Sequence, residues 1–273
     1  MKLRTLFLWV LLCSLLFSSS CKKWRNNREP LTSEDHTLAE ASFNEVFRHL
    51  LIIASPGGGL LTGSCFSYTG SGSSFPDTVT VNFGSDSCTG LFEFSIYGKA
   101  TVVFSDSINR VNAVMTATPL NLYIENYKVE GSITISNAGL NASGYQEYNL
   151  KVTDGMITAE KEKIGEDYTI AWECNYYFEL LDDNGSSLQL DDLHRITGTA
   201  SGLNEEDRSF AAEIIEPLQK YVDCRWPGSG KTKISPSDLD ERDLNYGDCN
   251  LSNCCDNVAS EDVKWPDKAV RMK

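Results

Sequence analysis

The stretch WPGSGKTK, which ends at Lys233, contains the residue types that most strongly suggest chemistry. Residues 230–232 match the end of a phosphate-binding loop, in which backbone amides, a lysine and a hydroxyl group hold the phosphates of a nucleotide. That loop also needs a glycine five residues before Gly230, where Arg225 stands, and a helix after the threonine. Pro236 follows too closely for such a helix. We therefore interpret the stretch as part of a hairpin turn and predict no nucleotide site.

The three histidines, His36, His49 and His194, show no spacing typical of a metal or nucleophile site. His36 and His49 are thirteen residues apart on one predicted helix, and His194 follows two aspartates at the edge of a predicted strand. The chain also lacks a Gly-x-Ser-x-Gly turn and a His-Glu-x-x-His motif. We interpret the three as structural or exposed histidines. The sequence assigns no catalytic residue, and we expect no enzymatic activity.

Two segments could in principle bind a cation. Cys249, Cys254 and Cys255 lie near aspartates but lack the Cys-x-x-Cys spacing of a zinc site, so disulfides are favoured. The acidic run at residues 181–192 lacks the alternating ligands and the closing glutamate of a calcium loop, which favours an acidic hairpin tip. The sequence therefore predicts no metal site and no cofactor.

The first twenty residues have the pattern of a secretory signal. Lys2 and Arg4 precede an apolar run at residues 6–17, which is short for a membrane span, and three serines follow it. We predict a signal peptide at residues 1–20. The protein is therefore expected to be exported.

Cys21 stands directly after the small residues, and the junction resembles the lipobox of bacterial lipoproteins. It departs from the usual pattern at Ser18, where an aliphatic residue is more common. The polar segment after Cys21 indicates a flexible tether at residues 21–31. We predict that Cys21 is acylated and anchors the chain to the outer membrane. The alternative is a plain secretory signal that leaves Cys21 as a thiol or a disulfide partner.

Seven further cysteines in an exported chain make disulfides the default expectation. Cys65 and Cys88 flank a short hairpin-like segment, so we predict that they pair. Cys224 is expected to reach the C-terminal group of Cys249, Cys254 and Cys255, with the partner left open. Because the count is odd, at least one thiol remains unpaired, and Cys174 is the candidate for a buried free thiol.

The formal net charge is −14 at pH 7. Such a chain repels polyanions, so nucleic acid is not an expected partner. The tether, in contrast, is basic and is expected to lie against anionic lipid headgroups. We expect the membrane, through the lipid anchor, to be one partner, and the sequence names no protein or ligand partner.

Residues 33–55 show the spacing of one amphipathic helix. Apolar residues recur at intervals of three and four from Ala39 to Ala54, and a Pro-Gly-Gly-Gly run ends the pattern. Thr32 and Ser33 are candidate N-cap residues before this helix. Its other face is too polar for a membrane span.

After Gly59 the apolar period changes from 3.6 to 2, which is typical of strands. The longest example runs over residues 168–180, where Trp172, Cys174 and Tyr176 belong to the apolar face. Turn signals separate the strands at residues 154–155, 184–185 and 202–204. This pattern predicts an antiparallel meander of about a dozen strands in one domain, residues 32–273. We expect a mainly β fold, a long curved half-barrel-like sheet with the helix packed on its concave face. A β-sandwich is the alternative.

The chain from about Cys65 to Asp256 resembles a group of uncharacterised Bacteroidetes lipoproteins. The matching pieces are TVTVNFGSDSC (78–88), YKVEGSITISNAG (127–139), RITGTASG (195–202), EPLQKYVDCRW (216–226), YGDC (246–249) and CDN (255–257). The resemblance implies a lipid-anchored, β-rich protein of the cell envelope without a known activity. The chain departs from the group after Cys249. In this group, acidic residues just after the lipidated cysteine resemble a signal for export to the cell surface. This chain has basic residues there instead, which favours the periplasmic face of the outer membrane over the cell surface.

We therefore expect a lipid-anchored envelope protein without catalytic activity that serves as a binding or scaffolding module. One alternative is a carrier of lipid or another apolar ligand, because a curved sheet around a helix also resembles outer-membrane lipoprotein carriers. A third possibility is a hydrolase acting on glycans or peptides. Such enzymes use paired carboxylates, and on a sheet these come from different strands, so no spacing in the sequence would reveal them.

Overall fold

The computed structural model describes residues 29–54, 66–70, 74–85, 95–182, 192–248, 256–262 and 268–272. It contains one open antiparallel sheet of thirteen strands and one long N-terminal helix. The strands follow each other in the sheet in chain order, from β1 to β13. The predicted mainly β meander with an N-terminal helix is confirmed, and the β-sandwich alternative is wrong because the strands form a single sheet.

The elements have the following bounds. The helices are α1 (Leu31–Ala54) and α2 (Lys161–Ile164). The strands are β1 (Ser67–Thr69), β2 (Asp77–Gly84), β3 (Ile96–Phe104), β4 (Val114–Ile124), β5 (Tyr127–Leu140), β6 (Gln146–Ala159), β7 (Tyr168–Asp182), β8 (Leu193–Leu203), β9 (Ser209–Tyr221), β10 (Ser229–Pro236), β11 (Arg242–Asn245), β12 (Val258–Asp262) and β13 (Lys268–Arg271).

One predicted turn is instead a bulge within a strand. Asp154 and Gly155 lie inside β6, where the pairing with β7 shifts between Val152 and Gly155. Asp154 has a φ of 51°, in the left-handed region that both turns and bulges use. A side chain at Gly155 would clash, since a Cβ atom there would lie 2.2 Å from the carbonyl oxygen of Trp172. The glycine therefore marks close strand contact rather than a chain reversal.

Helix α1 begins at Leu31, two residues before the predicted start. The side chain of Glu29 accepts a hydrogen bond from the backbone N–H of Leu31. The predicted capping hydroxyls have other partners, because Thr32 accepts from the side chain of Asn204 at 3.1 Å and Ser33 donates to Glu261 at 2.5 Å. These contacts tie the start of the helix to strands far away in the sequence.

The predicted apolar stripe of α1 is buried against the sheet. Five of its members are at most 5 % exposed: Phe43, Val46, Phe47, Leu50 and Leu51. They share one core with the inward residues of the strands, including Val129, Ile133, Ile170, Trp172 and Phe178. The helix contacts β5, β6, β7 and β13. The expectation that α1 packs on the inner face of the curved sheet is confirmed.

Small side chains line part of that inner face. One buried row across the sheet runs through the paired residues Ala117, Ile133, Val152, Cys174, Ala200, Ala212 and Ile234. Near this row, a Cβ atom at Gly155 would lie 2.9 Å from the Cζ atom of Phe43. Alanine, cysteine and glycine at these positions let the helix lie close to the strand backbones.

Candidate functional site

The polar face of α1 is buried as completely as its apolar face. Its buried polar residues include Asp35, His36, Glu40, Asn44, Glu45, Arg48 and His49. A polar group that leaves water needs a hydrogen-bond partner, because an unpaired buried group costs about 1–3 kcal/mol. His36 and Glu40 have partners in the surrounding sheet, whereas Glu45 pairs with Arg48 and His49 on the helix itself. Together these side chains define the polar interior of the protein.

Glu40 is the centre of this interior. Its side chain is 3 % exposed, and its two carboxyl oxygens accept hydrogen bonds from the hydroxyls of Tyr176 at 2.8 Å and Tyr246 at 2.9 Å. Burial, followed by the nearby Glu40, raises the pKa of both phenols well above the ordinary value. Both tyrosines therefore stay protonated and act as donors to Glu40.

His36 lies one helical turn before Glu40. The indole N–H of Trp172 donates to His36 Nδ1 at 3.2 Å, so the ring proton of a neutral imidazole belongs on Nε2. That Nε2 atom is 3.9 Å from Glu40 Oε1. Burial lowers the pKa of His36, although Glu40 opposes the shift. The imidazole is thus a neutral member of the network rather than a cation.

A charged cluster occupies the C-terminal half of α1. Arg48 forms an ion pair with Glu45 and donates to the carbonyl oxygen of Val222, and His49 Nδ1 lies 3.0 Å from Glu45 Oε1. Burial alone would raise the pKa of Glu45, but His49 and Arg48 lower it to about 2. Glu45 is therefore ionised and compensates the buried guanidinium.

Lys220 of β9 points into the same cluster. It is 6 % exposed and its ammonium donates to the carbonyl oxygen of Cys224. Burial and the positive charge of Arg48 lower the pKa of Lys220 to about 7. Burial also lowers the pKa of the adjacent His194, to about 4. Lys220 and His194 therefore lose their protons at a lower pH than exposed lysine and histidine side chains do.

Two small cavities adjoin this cluster, with volumes of about 40 Å³ and about 10 Å³. His194 and Val222 line both. The smaller one is also lined by Asn44, whose side-chain amide has no hydrogen-bond partner among the described residues. A cavity of this size holds about one water molecule. These two described cavities are therefore suited to water, not to an organic ligand.

The start of α1 carries a second buried ion pair. Arg242 and Glu261 are both fully buried, with Nη1 and Oε1 3.5 Å apart. Arg242 also donates to the backbone oxygen of Glu29 at 2.6 Å, and Arg208 pairs with the Glu29 carboxylate at 3.0 Å. These contacts hold the chain that enters the helix against β8–β9 and β11–β12.

A third described cavity is on the opposite, outer face of the sheet. It is an open groove of about 620 Å³ over strands β6 to β10. Its floor is made by short exposed side chains, including Thr199, Ser201 and Ala211. Longer side chains border the floor on both sides: Lys151, Glu173, Glu213, Lys233 and Glu241. This outer groove is the candidate functional site, because its volume is within the range of about 300–1,000 Å³ that small-ligand sites occupy.

The residues singled out in the sequence do not form a common site. Residues 230–232 belong to β10, where Thr232 is buried and Lys231 pairs with Glu216 at 2.6 Å. The predicted hairpin turn is confined to the residues before β10. His36 and His49 are thirteen residues apart on α1, while His194 lies on β8. No group of three or more metal-ligating side chains is found in the described part of the chain.

The predicted free thiol is confirmed. Cys174 is buried, is the free cysteine of the described residues, and lies between Trp172 and Tyr176 on β7. Burial raises its pKa far above the ordinary value, which makes the thiol unreactive. Cys224 is also buried, three residues after the end of β9. The other predicted modification or disulfide positions lie outside the described residues: Cys21, Cys65, Cys88, Cys249, Cys254 and Cys255.

The sequence gives no direct signal for the outer groove or for the polar interior. The outer groove depends on the register of five strands. The polar interior depends on contacts such as that between Glu40 and Tyr246, which are far apart in the chain. A partial signal exists on α1, because the polar residues His36, Glu40, Asn44 and Arg48 recur at four-residue intervals and therefore share one side of the helix. Only a structure shows that this polar side is also covered.

Comparison of the chain with family models, curated proteins and solved structures finds no match. Of the helices that the structure describes, none has both the length and the apolar character of a membrane span.

Proposed function

We propose that this chain is a lipid-anchored protein of the cell envelope that acts without catalysis, as a binding or scaffolding module. The observation that carries the proposal is the position of α1, which fills the concave face of the sheet. Phe43, Phe47 and Leu50 are at most 2 % exposed there. With the interior occupied, the surface available for interactions is the outside of the sheet.

The filled interior favours a scaffold over a carrier of lipid. A carrier needs an apolar cavity long enough for an acyl chain, and small-ligand sites commonly measure about 300–1,000 Å³. The cavities described beside α1 measure about 40 Å³ and 10 Å³. The groove of about 620 Å³ is polar and lies outside the sheet. Neither suits an apolar ligand.

The contacts of the polar interior support a structural role for it, and the carboxylates that a substrate could reach are those of the outer groove. A hydrolase would need a carboxyl group or a base that substrate can reach. Glu40 is held by two tyrosine hydroxyls in the core, and His36 is buried beside it. The contacts of these groups therefore suit the positioning of α1 rather than proton transfer to a substrate.

The proposed anchor rests on residues 15–30 of the sequence and on where α1 begins. Eight residue steps lead from Cys21 to Glu29, and an extended chain covers about 3.5 Å per residue, so the tether reaches about 28 Å at most. Its end is fixed, because Glu29 contacts Arg208 and Arg242. We place the β8–β9 turn at the membrane side of the domain, on the periplasmic face of the outer membrane.

Replacement of Cys21 tests this anchor. The variant Cys21→Ala is expected to leave the membrane fraction and appear in the soluble envelope fraction. Cys174→Ala is the matched control, since it removes a cysteine that is buried and free, and it should stay with the membrane. Membrane association of Cys21→Ala equal to that of the unaltered chain, with no acyl mass on the latter, would refute the proposal.

A further inference from the structure

We propose that the outer groove binds a short extended peptide that carries acidic residues at both ends and basic residues between them. This inference deepens the proposed function, because it gives the binding module a site and a ligand class. It rests on the groove of about 620 Å³ over β6 to β10 and on the order of charges along it.

The register of the strands fixes that order. Lys151 of β6, Asn175, Thr199, Glu213 and Lys233 of β10 are paired neighbours across five strands. A second outward row runs beside it through Glu173, Ser201, Ala211 and Ser235. Along these two rows, from β6 to β10, the groove thus presents a lysine, a glutamate, a neutral floor, a glutamate and a lysine. Glu241, which follows β10, adds a third glutamate to the lining and accepts a hydrogen bond from Ser235 at 3.2 Å.

Of the four charged residues in these two rows, Glu173 already accepts a hydrogen bond from the backbone N–H of Asp154 at 3.1 Å, and the other three are available to a ligand. Among the described residues, no ion pair within 4 Å involves Lys151, Glu213 or Lys233. Outside the groove, the neighbouring strands do pair their charges, since Lys231 and Glu216 approach to 2.6 Å. A ligand with the complementary order, negative, positive, positive, negative, would meet an opposite charge at each position. Charge order of this kind gives specificity more than affinity.

The chemistry of the lining disfavours other ligand classes. A polyanion would meet the carboxylates of Glu173, Glu213 and Glu241, and a polycation would meet two lysines. No aromatic ring lines the groove in the described part of the chain, so sugar rings have no stacking surface. The strands here are interior to the sheet, with their backbone groups already paired, so side chains must do the recognition. The hydroxyl and amide groups of the floor suit a peptide backbone.

The dimensions indicate the length of the peptide. Lys151 and Lys233 are four strands apart, and neighbouring strands are about 4.8 Å apart, which gives a span of about 19 Å. An extended peptide rises by about 3.4 Å per residue. About six residues therefore bridge the two lysines, and the peptide crosses the strands rather than adding to the sheet edge.

Two blocked hexapeptides of identical composition test the inference. EKSSKE has the complementary charge order, and KESSEK has the inverted order. Isothermal titration of the purified full-length chain at low salt should show EKSSKE binding on the order of tenfold more tightly, from several exposed charge pairs of about 0.2–1 kcal/mol each. Equal binding, or no binding of either peptide, would overturn the proposal.

Variants locate the binding. Ala211→Trp fills the groove floor and Lys233→Glu reverses one end charge, and each should weaken EKSSKE binding by at least about fivefold. Lys231→Glu, on the same strand but outside the groove, is the matched control and should bind as the unaltered chain does. Unchanged thermal unfolding confirms that the variants fold. If Ala211→Trp binds EKSSKE as tightly as the unaltered chain does, the peptide does not bind in the outer groove and the inference is refuted. The proposed membrane anchor would be unaffected by that result, because it is tested separately with Cys21→Ala.

Discussion

The rings of Phe43 and Trp172 stack with their centroids 5.3 Å apart and an angle of 10° between their planes. Phe43 belongs to α1 and Trp172 to the central strand β7, and both are fully buried. The same indole donates a hydrogen bond to His36. One tryptophan therefore contacts both the apolar and the polar faces of the helix, which makes α1 part of the core rather than a removable cover.

Phe47→Ala should lower the free energy of unfolding by about 3–5 kcal/mol. Phe47 is 2 % exposed and its ring centroid is 4.2 Å from that of Phe178, so its removal leaves a cavity between helix and sheet. Chemical denaturation measures the change. Phe75→Ala is the control, because Phe75 is 51 % exposed and its loss should change stability by less than about 0.5 kcal/mol. Similar losses in both variants would contradict the packing of α1.

Glu40→Leu should destabilise the protein by about 2–6 kcal/mol, because the hydroxyls of Tyr176 and Tyr246 lose their acceptor in the core. Glu40→Gln keeps an acceptor of similar shape and should cost less. Adding Tyr246→Phe to Glu40→Leu removes one stranded hydroxyl and should recover part of the loss. A Glu40→Leu variant as stable as the unaltered protein would show that the network does not hold the helix.

The free energy of unfolding should rise with pH between about pH 7 and about pH 8.5. This window ends below the pH at which tyrosine side chains ordinarily titrate. Burial and Arg48 lower the pKa of Lys220 to about 7, whereas in the unfolded chain it returns to about 10.5. In this window the unfolded chain binds the extra proton, so raising the pH favours the folded state, by up to about 1.4 kcal/mol per pH unit.

Denaturation at several pH values measures this slope. Lys220→Met should remove most of it, and the exposed Lys99→Met should leave it unchanged. A slope that survives in Lys220→Met would assign the pH dependence to another group.

Peptide mapping of the oxidised protein should find Cys65 linked to Cys88, and Cys224 linked to one of Cys249, Cys254 and Cys255. Each bond is expected to contribute about 2–4 kcal/mol. Cys174 should react with a thiol reagent only after denaturation, since it is buried and free. Linkage of Cys65 to any cysteine other than Cys88 would refute the first pairing.

Local periodicity was sufficient to predict the elements that form the core. Phe43, Val46 and Leu50 recur at helical spacing, and Trp172 and Phe178 alternate with polar residues, so each apolar face can be assigned from its own segment. The apolar faces of one long helix and of many strands must both be buried. The packing of the helix on the sheet could therefore be predicted as well.

The remaining features depend on contacts between distant parts of the chain. Asp154 and Gly155 suit a turn and a bulge equally, and only their pairing with β7 distinguishes the two. The polar face of α1 looks solvent-exposed until the sheet supplies Tyr246, 206 residues after Glu40. The outer groove likewise exists only once the strand register places Lys151 and Lys233 in one row.

Mass spectrometry of the intact protein extracted from membranes under native conditions tests the central proposal most directly. The account predicts a mature chain that begins at Cys21, carries acyl groups on that residue, and holds no apolar ligand that denaturation releases. A mature chain without acyl mass, or a lipid that leaves the protein only on unfolding, would contradict it.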